Sequence, residues 1–347
     1  NDAICVSGTH GKTTTSSMLT QILLSAGADP TCVIGGKLPS IGGNGRVGKT
    51  KTMVCEACEF VDTFLKLYPD ISIILNIDED HLDYFKTLDN IIASFRKFAQ
   101  KTTKMLIING DDRNTLRAVE GLKHTIITFG FSGINDFYPA NIQHLGGVEV
   151  QFDLMCGKET LCTIPLHVPG DHNILNAVAA CVAAISMGIA PKDCAKGLDE
   201  FHGAGRRFEV LATVNGITVA DDYAHHPTEI EATLKAAKNL PFKRVWAVHQ
   251  PFTYSRTAML LNDFARVLQI ADQTVLSEIM GSREKNTYDI SSSQLAEKIP
   301  ECKWFPTFEE IADYVSANAV SGDLIITLGC GDVYKAAKMI IEKLQLQ

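Results

Sequence analysis

The stretch that most narrows the fold lies near the start, where Ile4-Cys5-Val6 runs into Gly8-Thr9-His10-Gly11-Lys12-Thr13-Thr14. An apolar run, a glycine turn and a helical stretch read as a strand over residues 3–6, a loop, and a helix over 12–26 ended by Gly27. Gly8 and Gly11 let backbone N–H groups turn toward phosphate oxygens. Lys12 adds charge, and Thr13 adds a hydroxyl suited to Mg²⁺. The spacing is G-x-x-G-K-T-T rather than G-x-x-x-x-G-K-[ST], whose first glycine would fall on Val6.

The rest of the chain extends this unit. Strands are expected at 52–55, 71–77, 105–109 and 125–129, with a helix at 88–100. An antiparallel hairpin is expected from 148–154 and 160–168, then helices at 173–187 and 191–201. A second alternating stretch has strands at 208–214, 217–220, 244–248, 273–276 and 324–328. Its helices fall at 228–238, 258–268, 292–299, 308–318 and 333–344. The fold class is therefore α/β: a P-loop ATPase-type, mostly parallel sheet with helices on both faces, then a smaller Rossmann-like α/β domain. The glycine- and arginine-rich stretch 201–207 marks the boundary, giving a first domain over 1–203 and a second over 204–347.

Composition removes other classes. A net charge of −8 argues against a nucleic-acid binder with a broad basic face. The most apolar stretch, 174–190, carries Asn176, Ser186 and Gly188 and is shorter than the ~20 residues of a membrane span. Ten cysteines without a regular framework suit reduced thiols in a cytosol. Cys55 and Cys58 form a C-x-x-C with no second pair, so Glu56 between them carries more interest.

Chemistry gathers at strand ends. Glu56 and Glu59 follow one expected strand, and Asp78, Asp80 and His81 follow another. In a parallel sheet these lie on the same carboxyl edge as the phosphate loop, which suits Mg²⁺. Asn173 and Asn176 open a helix three residues apart. They read equally as an adenine-facing pair or as a helix cap with a solvated neighbour. The glycine-dense segment from Gly35-Gly36-Lys37 to Gly42-Gly43-Asn44-Gly45 reads as a flexible loop or a substrate contact.

Several ordered segments carry a resemblance. Beside the phosphate loop stand Glu56-Ala57-Cys58-Glu59 and Asn76-Ile77-Asp78-Glu79-Asp80-His81-Leu82-Asp83. Further on come Gly170-Asp171-His172-Asn173-Ile174-Leu175-Asn176-Ala177, Arg206-Arg207-Phe208-Glu209 and Asp221-Asp222-Tyr223-Ala224-His225-His226-Pro227. Together they resemble the Mur ligase family over nearly the whole chain. The resemblance implies a cytoplasmic ATP-dependent ligase of peptidoglycan synthesis, and assigns ATP binding to the first domain and amino-acid binding to the second. Its last segment favours the branch that adds L-alanine to UDP-N-acetylmuramic acid through an acyl phosphate. A sibling ligase attaching a recycled peptide to the same sugar nucleotide, or a nucleotide-binding module without ligase chemistry, are the alternatives.

Residue by residue, the resemblance assigns ATP binding to Gly8, Thr9, His10, Gly11, Lys12, Thr13, Thr14, His172, Asn173, Asn176, Arg207 and Asp222. It assigns Mg²⁺ to Thr13, Glu56 and His81, and catalysis to Lys12, Glu56, His81 and Arg207. Tyr223, His225, Phe252 and Arg256 are assigned to the amino-acid substrate, and no nucleic acid or membrane insertion is implied. Phe252 and Thr253 depart from the family's usual His and Arg, which bears on amino-acid choice. Family members also carry a UDP-binding domain ahead of the phosphate loop, so the resemblance implies further chain upstream of Asn1.

Overall fold

In the computed structural model, which describes residues 2–146 and 148–346, the alternation of β1 (Asp2–Ser7) sets the layering. Ile4 and Val6 enter the apolar cluster on one face of a sheet, and Cys5 enters the cluster on the other. A strand buried on both faces needs helices above and below, as parallel sheets require.

The chain divides into two units, Asn1–Gly205 and Arg206–Gln347. The first continues through α1 (Lys12–Ser25), β2 (Thr31–Leu38), β3 (Gly43–Arg46), β4 (Thr52–Glu56) and β5 (Ile71–Ile74). Then come α2 (Leu82–Phe85), α3 (Leu88–Gln100), β6 (Met105–Asn109), α4 (Arg113–Val119) and β7 (Thr125–Phe129). It closes with β8 (Phe137–Gly146), β9 (Glu149–Cys156), β10 (Glu159–Leu166), α5 (Asp171–Ser186) and α6 (Pro191–Asp199). Its sheet runs β10-β9-β8-β7-β6-β5-β1-β4-β2-β3, parallel from β2 to β8. The chain leaves β1 toward one side and later returns to pair β5 on the other. That reversal makes the carboxyl ends of β4, β1 and β5 a switch point, where such sheets bind ligands.

Helix α1 is buried along Thr13–Leu23 despite its run of hydroxyls. Ser16 Oγ donates to Lys12 O and Thr20 Oγ1 to Ser16 O, both at 2.8 Å, so these two hydroxyls are satisfied by the preceding turn, while Ser17 Oγ is buried without a partner. Alanines of α5 from Ala177 to Ala184 pack on the same cluster, where small side chains allow close helix approach.

The second unit holds β11 (Glu209–Val214), β12 (Ile217–Asp222), α7 (Pro227–Lys238), β13 (Arg244–His249), α8 (Tyr254–Met259) and α9 (Leu261–Leu268). It ends with β14 (Gln273–Leu276), α10 (Ser292–Ala296), β15 (Lys303–Trp304), α11 (Phe308–Asn318), β16 (Asp323–Leu328) and α12 (Tyr334–Gln345). Its sheet runs β11-β12-β16-β13-β14-β15, parallel except for β11. Apolar clusters again cover both faces. Among the described residues no helix is long and apolar enough to cross a membrane.

Some elements differ from expectation. The expected strand 71–77 ends at Ile74, because residues beyond it bond to the phosphate loop: Thr9 N donates to Asn76 O at 3.0 Å. The glycine-dense segment is not a flexible loop. Gly35–Lys37 lie in β2 and Gly43–Gly45 in β3, an edge hairpin on β4. The expected helix 258–268 breaks at Leu260, whose φ of −109° leaves the helical region. Strand β8 was not expected. Pro139 and Asn141 obscure its alternation, and it is held by an antiparallel ladder with β9.

His249, at the end of β13, gives the second unit an acid-sensitive point. Its Nδ1 donates to Leu328 O at 3.0 Å, its ring stacks on Phe264, and Nε2 is buried without a partner. Burial pushes its pKa down to about 4. An unfolded imidazole titrates near ~6.5, so the unfolded chain takes the proton first as pH falls. The His249 contribution is complete above about pH 6.5 and is lost toward pH 4. His249→Asn keeps a donor toward Leu328 O and cannot titrate. The wild-type-minus-variant unfolding free energy, from urea titrations, should fall by about 3 kcal/mol between pH 7 and pH 4. A pH-independent difference would contradict this.

Candidate functional site

The phosphate loop is fixed by the segment after β5. Asn76 clamps His10 from both sides, accepting from its N–H at 2.8 Å and donating to its carbonyl at 3.0 Å. Thr9 Oγ1 accepts from Asp78 N at 2.9 Å, and His10 Nε2 lies 3.3 Å from Asp78 Oδ2. Gly11, with φ +86°, starts α1 in a left-handed conformation, and no side chain caps the helix. Backbone N–H groups at such a helix start suit an anion. Thr14 is buried in the first turn behind them.

Lys12 is largely enclosed. Its Nζ donates to Gly8 O at 2.5 Å, to Thr9 O at 3.0 Å, and to Glu59 Oε1 and Oε2 at 3.2 and 2.9 Å. Burial works against its charge, but Glu59, with Cys58 and Glu56, outweighs that and raises the Lys12 pKa.

Thr13 and Glu56 meet: Thr13 Oγ1 donates to Glu56 Oε2 at 2.9 Å. Gly35 N donates to the same oxygen at 2.7 Å. A Cβ at Gly35 would stand 2.5 and 2.6 Å from the two Glu56 oxygens, so the close approach requires glycine. Two hard oxygen donors side by side fit Mg²⁺, which takes one or two protein oxygens and keeps the rest for water and phosphate. His81 lies on the same edge, capping α2 with φ +53°, its ring 4.7 Å from Phe60 and its Nε2 3.6 Å from Asp80 Oδ2.

Asn173 and Asn176 are neither a helix cap nor solvated, since Gly170 caps α5 and both side chains are buried. Asn173 Nδ2 donates to Pro169 O at 2.7 Å, and Asn176 Nδ2 to Asn173 Oδ1 at 3.0 Å. Asn176 Oδ1 accepts from Thr15 at 3.2 Å and sits where a Gly11 Cβ would be, 2.5 Å away. Asn176 therefore buttresses Gly11 and the start of α1. His172 lies exposed in the first turn of α5.

In the second unit, Asp222 ends β12 with its carboxylate turned inward. It accepts from Phe208 N at 2.7 Å and Ala224 N at 2.8 Å, and burial pushes its pKa up to about 6. Tyr223 lies beneath two guanidinium groups, Arg206 at 5.0 Å and Arg207 at 5.3 Å from its ring centroid. Arg206 is also bound to Asp221 and to the carbonyls of Gly329 and Gly331. His225 Nδ1 lies 3.2 Å from Glu229 Oε2, and His226 caps α7. Phe252 precedes α8 and is half-buried, and Arg256 on α8 donates to Phe252 O at 2.7 Å.

Residues 6–184 match the Mur ligase middle domain, and 206–331 match the Mur ligase glutamate ligase domain. A UDP-N-acetylmuramate–L-alanine ligase of Agathobacter rectalis is 47% identical over 347 residues, covering 98% of this chain and 76% of the relative. The chain belongs to the Mur ligase family. A Clostridium novyi enzyme of the same name is also 47% identical, over 98% of this chain and 75% of its own length. The crystal structure of the Thermotoga maritima UDP-N-acetylmuramate–alanine ligase superposes with a TM-score of 0.84 at 25% identity, covering 99% of this chain and 76% of that one. A murein peptide ligase from Psychrobacter arcticus gives 0.73 at 25% identity, covering 99% and 78%. Members of this family are ATP-dependent ligases.

Sequence reasoning named Gly35 only within a flexible loop or substrate contact and Asn76 only within a family segment, and missed the contact of Gly35 with Glu56 and the clamp of Asn76 on His10. A glycine in an edge strand carries no chemical signal, and the clamp needs β5 beside β1. Gly35→Ala should leave the fold intact, since the displaced group is the end of a flexible side chain. Its Cβ should push the Glu56 carboxylate off Thr13. Calorimetry with ADP should then show normal binding in EDTA but loss of the gain that Mg²⁺ brings to the wild type. An undiminished magnesium effect would remove Glu56 from the metal.

Proposed function

We propose that this Mur ligase joins L-alanine to UDP-N-acetylmuramic acid in the cytoplasm, at the expense of ATP and with Mg²⁺. The observation that carries the reading is the 47% identity, over 98% of the chain, to relatives of that name. The loop geometry supports the ATP half: Lys12 and an α1 start free of any side-chain cap, beside the Thr13–Glu56 oxygen pair, make a site for a polyphosphate.

The substrate carboxylate attacks the γ-phosphorus, ADP leaves, and the alanine amine then attacks the acyl carbon as phosphate departs. Positioning and charge neutralisation carry most of such catalysis. Lys12 stabilises charge on the β- and γ-phosphates, and Thr13 and Glu56 hold the metal. Magnesium held there would supply charge neutralisation for the transferred phosphate. His81 is proposed as a further ligand on the same edge, with Asp80 orienting its ring. In the second unit Arg256 pairs with the alanine carboxylate, and Phe252 and Tyr223 wall its methyl group.

The test is phosphate release by the full-length protein with ATP, Mg²⁺ and UDP-N-acetylmuramic acid, offered L-alanine, glycine, L-serine or a tripeptide. Alanine should be preferred, and preference for the tripeptide would replace this reading with the peptide-attaching one. Lys12→Ala would strand the buried Glu59 carboxylate, which is strongly destabilising. Lys12→Gln keeps a donor toward it and should lower kcat by on the order of 10²-fold or more. Normal turnover by this variant would remove Lys12 from the phosphate site.

A further inference from the structure

Glu59 is only 2% exposed, and both its oxygens face Lys12 Nζ rather than the Thr13–Glu56 pair. The turn after it is strained and held. Val61, a β-branched residue, sits at φ +47° and Asp62 at φ +59°. Asp62 accepts from Tyr84 Oη at 2.8 Å and from Ser94 Oγ. Such strain persists only where the surroundings enforce it. An ammonium has three N–H groups. Here Gly8 O, Thr9 O and the Glu59 carboxylate accept all of them. A phosphate oxygen gains Lys12 only by displacing one acceptor, and Glu59 is the charged competitor.

We infer that Glu59 is a positioning residue that competes with nucleotide phosphate for Lys12, holding the lysine against the loop and setting nucleotide affinity through that competition. The inference rests on the nucleotide reading of the loop. It separates Glu59 from Glu56: one carboxylate partners the lysine and the other the metal-side hydroxyl. Removing the Glu59 charge therefore frees a Lys12 donor and tightens nucleotide binding, whereas removing a metal ligand weakens it.

The experiment is titration with ADP by calorimetry, in Mg²⁺ and in EDTA. Glu59→Gln should tighten ADP binding by about fivefold in both, the scale of one charge-assisted hydrogen bond gained. In a Lys12→Gln background the gain should shrink below about twofold, the residual effect of one screened negative charge. If Glu59→Gln does not fold, Glu59→Asp, which draws the carboxylate back from Lys12, should tighten binding in the same direction. Unchanged affinity, or weakening confined to Mg²⁺, overturns the competition. Wild-type protein that binds no ADP at all would instead overturn the nucleotide reading, and this inference with it.

Discussion

The site depends on the adjacency of three parallel strands, β4, β1 and β5. Their common direction brings the loop after β1, the carboxylates after β4 and the Asn76–His81 segment after β5 to one edge. Backbone hydrogen bonds fix that alignment, with Cys5 opposite Cys55 on one side and Ser72 on the other. Once it is fixed, the loop has little freedom. Asn76 grips His10 through both backbone groups, and Thr9 is tied to Asp78. An anion site made of N–H groups works only if those groups already point inward, and this clamp pre-organises them.

The electrostatics are equally local. The chain carries a net charge of −8, yet it builds an edge suited to an anion by placing one lysine at a helix start. Around that lysine the two glutamates are held apart by different short-range partners. Glu56 is fixed by Gly35 and Thr13, and Glu59 by Lys12. Neither assignment follows from charge alone, because both carboxylates lie within three residues on the same turn.

The second unit shows how a motif that resembles the family's can be occupied by its own scaffold. In Asp221-Asp222-Tyr223-Ala224-His225-His226, Asp221 locks Arg206, Asp222 binds two backbone N–H groups, and His226 caps α7. These contacts hold Tyr223 beneath the two arginines. A segment proposed to meet a small amino acid is thus stiffened by hydrogen bonds to the Arg206–Phe208 stretch and within its own loop.

The α/β class, the strand–loop–helix at Gly8–Thr14 and the family were legible in the sequence. They rest on apolar period, glycine position and the order of short motifs, all local along the chain. Helix 88–100 and strands 105–109 and 125–129 were legible to the residue for the same reason. The tertiary structure alone decided which carboxylate meets which partner, since a glutamate's role is set by atoms contributed from distant strands. It alone set Gly35 against a Glu56 side chain 21 residues away, and turned Asn176 toward Gly11 and Thr15. A sequence records the donors and acceptors a chain carries. Sheet order and helix packing determine which of them come within 3 Å, and that distance sets the chemistry.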